Sequence, residues 1–255
     1  MKKIVLFLIS IMFLFFSCGK KEKTYNIICL VDFSKSIPQN VIESYKDIIK
    51  NNVVKSMSFT DRMIVLPIDY GSQTNATEIY HIDFALNSYE KDMDSPAQKD
   101  RIKKRRFDES KDSLIKTFDS LYYAALSSRE KLSKKTDIIG ALKETRRYLD
   151  DKNEDCENLI ILFSDMVQES DKYNFTSLRN TKDAERFLEK TEAMEIPKTK
   201  VFVYTGVIQD FPPDQYSALK TYWTEYFKKY NINLLEYTSG GTSILEKTLT
   251  GRSKE

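Results

Sequence analysis

Four short, almost wholly apolar runs, Ile27–Val31, Met63–Ile68, Leu159–Phe163 and Val201–Tyr204, are separated by stretches of helical period. A strand that is apolar on both sides must be covered on both sides, and a parallel sheet wrapped in crossover helices does this. Between the runs, Val41, Ile42, Tyr45, Ile48 and Ile49 recur at helical spacing behind Pro38, which suits a first helical turn. Further helices are expected over Asp137–Leu149 and over Thr181–Ala193, with Ala184, Phe187 and Leu188 inward. Tyr216, Leu219, Trp223, Tyr226, Phe227 and Tyr230 form a helical stripe that reads as core. Glu78–Leu86 alternates like an edge strand, and Ile232–Tyr237 is the last strand. The pattern predicts an α/β fold with a mostly parallel central sheet, one antiparallel edge strand and helices on both faces. In such sheets ligands bind outside the carboxyl ends of the strands, where strand order reverses.

The first apolar run ends in Asp32-Phe33-Ser34-Lys35-Ser36, which places three oxygen-bearing side chains on one strand-to-helix loop. Oxygen donors of this kind suit a hard divalent cation. Taken singly they are as well explained by helix capping. Two later segments extend the set: Lys135-Thr136-Asp137 opens a middle helix, and the run Leu159–Phe163 leads into Ser164-Asp165. In this order, from about Tyr25 to about Ser239, the chain resembles the von Willebrand factor A (vWA) family with its metal ion-dependent adhesion site. The resemblance implies a Rossmann-like fold over residues 25–255 and a metal site of Asp32, Ser34, Ser36, Thr136 and Asp165. It departs from many members in having Lys134-Lys135, not glycine, before the threonine. Two carboxylates only just neutralise a divalent ion, and Mg²⁺ exchanges a water for an incoming oxygen. Mg²⁺ is therefore the expected cation, with Mn²⁺ or Ca²⁺ as alternatives. The resemblance implies a protein-binding module that engages an acidic residue of a partner, not an enzyme.

The amino terminus carries a separate signal. Met1-Lys2-Lys3 precedes apolar residues up to Phe16, a charged and then hydrophobic pattern too short for a comfortable membrane span. Phe15-Phe16-Ser17-Cys18-Gly19 resembles a bacterial lipobox, with Phe where Leu is usual. It implies a signal peptide over residues 1–17, lipid on Cys18, a tether over residues 18–24, and a place in the bacterial cell envelope. Several acyl chains anchor stably where one does not. Gly19 favours an outer membrane or the periplasmic face. Removing residues 1–17 takes two lysines from the chain's 40 basic and 38 acidic residues, so the mature chain is neutral. A general binder of nucleic acid or of anionic lipid would show a large basic excess. Cys29 and Cys156 should sit about six strand positions apart, near 20 Å, too far for a disulfide.

Residues 90–133 form an expected helical insertion, with Leu114, Ile115, Phe118, Leu121, Tyr122 and Ala125 as a packing face in its second half. The first half holds the densest charge run, Lys99-Asp100-Arg101-Ile102-Lys103-Lys104-Arg105-Arg106. A solvated helical face is its plainest explanation; contact with acidic headgroups, or with an acidic partner beside the metal, is the sharper one. Asp69 follows the second strand on the rim of the proposed site, where a turn residue is the commoner reading. His81 is the only histidine, so a His-based triad is unavailable. Two alternatives stay open: a metal-dependent hydrolase on the same acidic rim, and an assembly scaffold whose site is vestigial.

Overall fold

The computed structural model describes residues 23–70, 72, 78–83, 95–196, 198–208 and 211–251. The expected signal peptide, the lipidated Cys18 and residues 18–22 of the tether lie outside the described residues. So do residues 84–86 of the third strand and 90–94 of the insertion.

Six strands form one sheet: β1 (Thr24–Asp32), β2 (Arg62–Ile68), β3 (Tyr80–Asp83), β4 (Cys156–Phe163), β5 (Thr199–Tyr204) and β6 (Asn233–Thr238), in the order β3-β2-β1-β4-β5-β6. β2, β1, β4, β5 and β6 run parallel, and β3 pairs antiparallel with β2 at the edge. The helices are α1 (Gln39–Ile48), α2 (Pro96–Ser128), α3 (Ile138–Glu144), α4 (Thr181–Lys190), α5 (Pro213–Lys229) and α6 (Ser243–Thr250).

Alternation along the strands feeds two cores. Ile28 and Leu30 of β1 join Ile138, Leu142, Leu219 and Trp223 on one face. Ile27, Cys29 and Val31 join Val41, Tyr45, Phe118, Tyr122 and Leu245 on the other. Both faces are therefore sealed by helices, which accounts for strands without polar alternation. Cys29 pairs with Ile161 and Cys156 with Thr24, five positions apart along the β1/β4 ladder. Both thiols are accordingly free.

Several boundaries differ from expectation. Pro38 is extended and caps α1 from outside the helix. α1 runs on into a π-helical stretch at Ile49–Val54 that periodicity does not announce. The helix expected over Asp137–Leu149 is shorter: Asp137 caps it by accepting the Gly140 N–H, and it tightens into a 3₁₀ turn at Thr145–Tyr148. The Thr145 hydroxyl donates to the Leu142 carbonyl at 2.6 Å at that junction, a local bond that competes with α-helical continuation. α4 stops at Lys190 because Thr191 is extended; its hydroxyl donates to the Phe187 carbonyl and accepts from the Tyr222 hydroxyl on α5, while Tyr230 donates to its carbonyl.

α2 is one continuous helix lying antiparallel to α1. Tyr122 donates to the Ile42 carbonyl, Lys50 pairs with Asp119, and Lys111 reaches the Lys55 and Met57 carbonyls. At its carboxyl end Arg129 forms a buried two-pronged pair with Asp69, just past β2; Nη2 donates to Oδ1 at 2.9 Å and Nε to Oδ2. This clamp fixes the insertion to the carboxyl rim of the sheet. Breaking one side of a buried pair strands the other charge, so Arg129→Met should cost about 3–5 kcal/mol in urea unfolding. Arg129→Met combined with Asp69→Leu should recover most of that loss; equal destabilisation in both variants would show that the pair is not what holds the helix end.

Candidate metal centre

The strand order reverses between β1 and β4, and the two strands end level there, Val31 facing Phe163. That register brings Asp32 to the Ser164-Asp165 step. Ser164 donates its hydroxyl to Asp32 Oδ2 at 2.7 Å, and the Ser34 N–H donates to Asp32 Oδ1 at 2.9 Å. The Ser34 and Ser36 hydroxyls are 2.9 Å apart. Ser36 in turn hydrogen-bonds the Asp165 carboxylate, whose Oδ1 also accepts the Val167 N–H at 2.8 Å. Four of the five expected donors thus lie in one hydrogen-bonded set. Thr136 is buried, and its backbone pairs in both directions with Glu169, four residues beyond Asp165. The first and second loops also meet, through the Lys35 N–H and the Ser133 carbonyl.

The loops are braced by groups the sequence did not single out. Gln168 is fully buried; its amide N–H donates to the Asp137 carboxylate and its oxygen accepts the Ile139 N–H. Met166 sits in the left-handed region at φ 67°, a costly place for a residue with a Cβ. Its carbonyl accepts the Trp223 indole N–H at 2.9 Å, and its own N–H donates to the Ser164 hydroxyl. Ser164 directly precedes Asp165, so inspecting the strand end would have found it. Nothing local in the sequence marks Arg129, Gln168 or Trp223 as supports.

Asp32 and Asp165 are both buried, and among the described residues neither makes an ion pair. Burial raises the Asp165 carboxyl to about 8, with repulsion from Asp32 adding to it. Burial also raises Asp32 to about 6 despite its bonds to Ser164 and Ser34; Asp69 adds a smaller push. Asp69 itself is taken by Arg129. Two neighbouring carboxylates that stay unneutralised in a low-dielectric rim fit a divalent cation. Among the described residues no group of three or more His, Cys, Asp or Glu is placed to hold a metal, so such a cation would depend on this mixed carboxylate and hydroxyl set. Beside Asp165 opens a cleft of about 240 Å³ lined by Thr205, Gly206, Val207, Ile208, Phe211 and Tyr216 among others. Gly206 leaves β5 at φ 70° with its α-carbon against Val41, so a Cβ there would collide.

No protein-family model matches the chain, and no curated protein matches it. Two solved structures of proximal thread matrix protein 1 from the mussel byssus align over 89% and 90% of this chain, at 17% and 16% identity and TM-scores of 0.42 and 0.41. The alignments cover 46% of each of those chains, so this chain spans about half the length of the structures it matches.

The folded chain binds its carboxyl protons more tightly than an unfolded chain, whose aspartates titrate near 3.9. Without metal, stability should therefore be intact below about pH 4 and fall as pH rises to about 8. Asp165→Asn removes a charge that burial opposes first and repulsion from Asp32 second. In EDTA it should be more stable than the parent by about 2–3 kcal/mol at pH 8 and little different at pH 4. Urea unfolding at the two pH values reads this directly, and a variant no more stable at pH 8 would mean that neither burial nor Asp32 opposes the Asp165 charge.

Proposed function

We propose that this chain is a vWA-like, non-enzymatic binding module, held to a bacterial membrane by lipid on Cys18. Asp32, Ser34, Ser36, Thr136 and Asp165 would hold a divalent cation, Mg²⁺ by preference. The cation would supply a Lewis-acidic position open to a carboxylate oxygen of a partner protein. The observation that carries this reading is the buried Asp32–Asp165 pair at the point of strand reversal, joined through serine hydroxyls and, among the described residues, without an ion pair. Carboxylates buried like this destabilise a fold unless something of opposite charge joins them.

The residues themselves divide the work. Ser164 and the Ser34 N–H orient the Asp32 carboxylate; the Val167 N–H and Ser36 orient Asp165. Trp223 and Gln168 hold the third loop so that Asp165 keeps its position relative to the first. The cleft beyond Asp165, with Val207 68% exposed, provides a mostly apolar wall next to the incoming acidic residue. Binding rather than turnover is supported by the place of the only histidine: His81 pairs opposite Ile64 in mid-strand, with Glu78 as its neighbour. β1 begins at the rim opposite the site, so a tether leading from Cys18 would leave the metal centre facing away from the membrane.

Titration calorimetry with MgCl₂ tests the reading. The parent protein should take up one ion, and Asp32→Ala and Thr136→Ala should each weaken uptake at least tenfold while circular dichroism stays that of the parent. A folded parent that takes up no Mg²⁺, Mn²⁺ or Ca²⁺ would end the proposal.

A further inference from the structure

α2 is far longer than the sheet it covers. Its 33 residues span about 50 Å, whereas the nine residues of β1 span about 30 Å. The carboxyl end of α2 is clamped at the metal rim by Arg129 and Asp69. Eighteen residues back, Lys111 bonds the carbonyls of Lys55 and Met57, where the chain turns toward the start of β2. Nearby, Asp61 accepts the Tyr25 N–H at the start of β1. Lys111 therefore marks the amino rim of the sheet, and the helix continues past it.

Among the described residues Phe107 is the last buried side chain in that direction; from Gln98 to Arg106 none is buried. About 15 Å of helix thus projects beyond the domain on the side from which the chain leads back to Cys18. Residues 98–106 carry Lys99, Arg101, Lys103, Lys104, Arg105 and Arg106 against Asp100 within the segment, and Arg105 also pairs with Glu109 one turn on. The exposure of the run agrees with a solvated helical face; a partner beside the metal does not fit, because the run occupies the end of α2 opposite the Arg129–Asp69 clamp. The six steps from Cys18 to Thr24 reach at most about 20 Å, close to the projection of the helix.

We infer that the amino-terminal arm of α2, residues 98–106, lies against the anionic headgroups of the membrane that carries the lipid anchor, and orients the domain on it. This rests on the lipid-anchor reading above. Cationic side chains near an anionic surface are attracted over roughly a Debye length, and a cluster of them adds to a lipid anchor. The anchor is one point of attachment; the arm adds a second, electrostatic contact at the same rim, and the two together hold the metal rim outward.

The test uses the mature, membrane-extracted protein reconstituted into vesicles of pure phosphatidylcholine, or of phosphatidylcholine with one-third phosphatidylglycerol. Amide hydrogen exchange over residues 98–106 should slow at least tenfold on the anionic vesicles relative to the neutral ones, and the difference should vanish in 0.5 M NaCl. Lys103→Glu, Lys104→Glu, Arg105→Glu and Arg106→Glu together should abolish the difference while circular dichroism stays that of the parent, since all four residues are exposed. Intact mass of the same sample reports acylation of Cys18. An unacylated cysteine sinks the anchor reading; an acylated protein whose arm exchanges equally on both vesicles sinks the inference about the arm.

Discussion

Val31 faces Phe163 across the β1/β4 ladder, and this register delivers Asp32 to the Ser164-Asp165 step where the chain departs to opposite halves of the sheet. A slip of one position would turn every side chain of β1 to the other face. It would exchange the two cores and part Asp32 from the Ser164 hydroxyl. The apolar packing on both faces therefore also sets the geometry of the polar rim. Hydrophobic burial is non-directional, but strand pairing converts it into a placement good to a hydrogen bond.

That rim sits in tension with the rest of the fold. Two carboxylates lie close together in a buried place, and a non-glycine residue, Met166, holds a left-handed conformation beside them. Local rules broken together in this way mark places where structure has been kept for a purpose other than stability. The opposing forces are the ordinary ones: backbone N–H groups and hydroxyls turned toward the carboxylates, a buried glutamine bridging two loops, and an indole N–H holding the Met166 carbonyl. Asp69, by contrast, is neutralised outright by Arg129. The same rim thus contains one acid that serves packing and two that are left for the proposed cation.

Much of this was readable from residue order. The strand runs are legible because strands covered on both faces need continuous apolar stretches. Asp32, Ser34, Ser36 and Asp165 are legible because each lies within five residues of the end of such a run. Less could be read where contacts span long stretches of chain. Arg129 meets Asp69 across 60 residues and Trp223 meets Met166 across 57, and no periodicity links either pair. The ends of α3 and α4 also escaped, since single hydroxyl-to-carbonyl bonds at Thr145 and Thr191 decide them.

By itself, the sequence determined the α/β class, the free cysteines on neighbouring strands and the cluster of oxygen donors, because alternation, spacing and strand rise are local quantities. Only the tertiary structure decided which acid is paired, what holds the third loop, and where the basic run lies. That last point turns on the clamp between Arg129 and Asp69: it pins one end of a helix longer than the sheet, so the surplus, with its lysines and arginines, must emerge at the far rim.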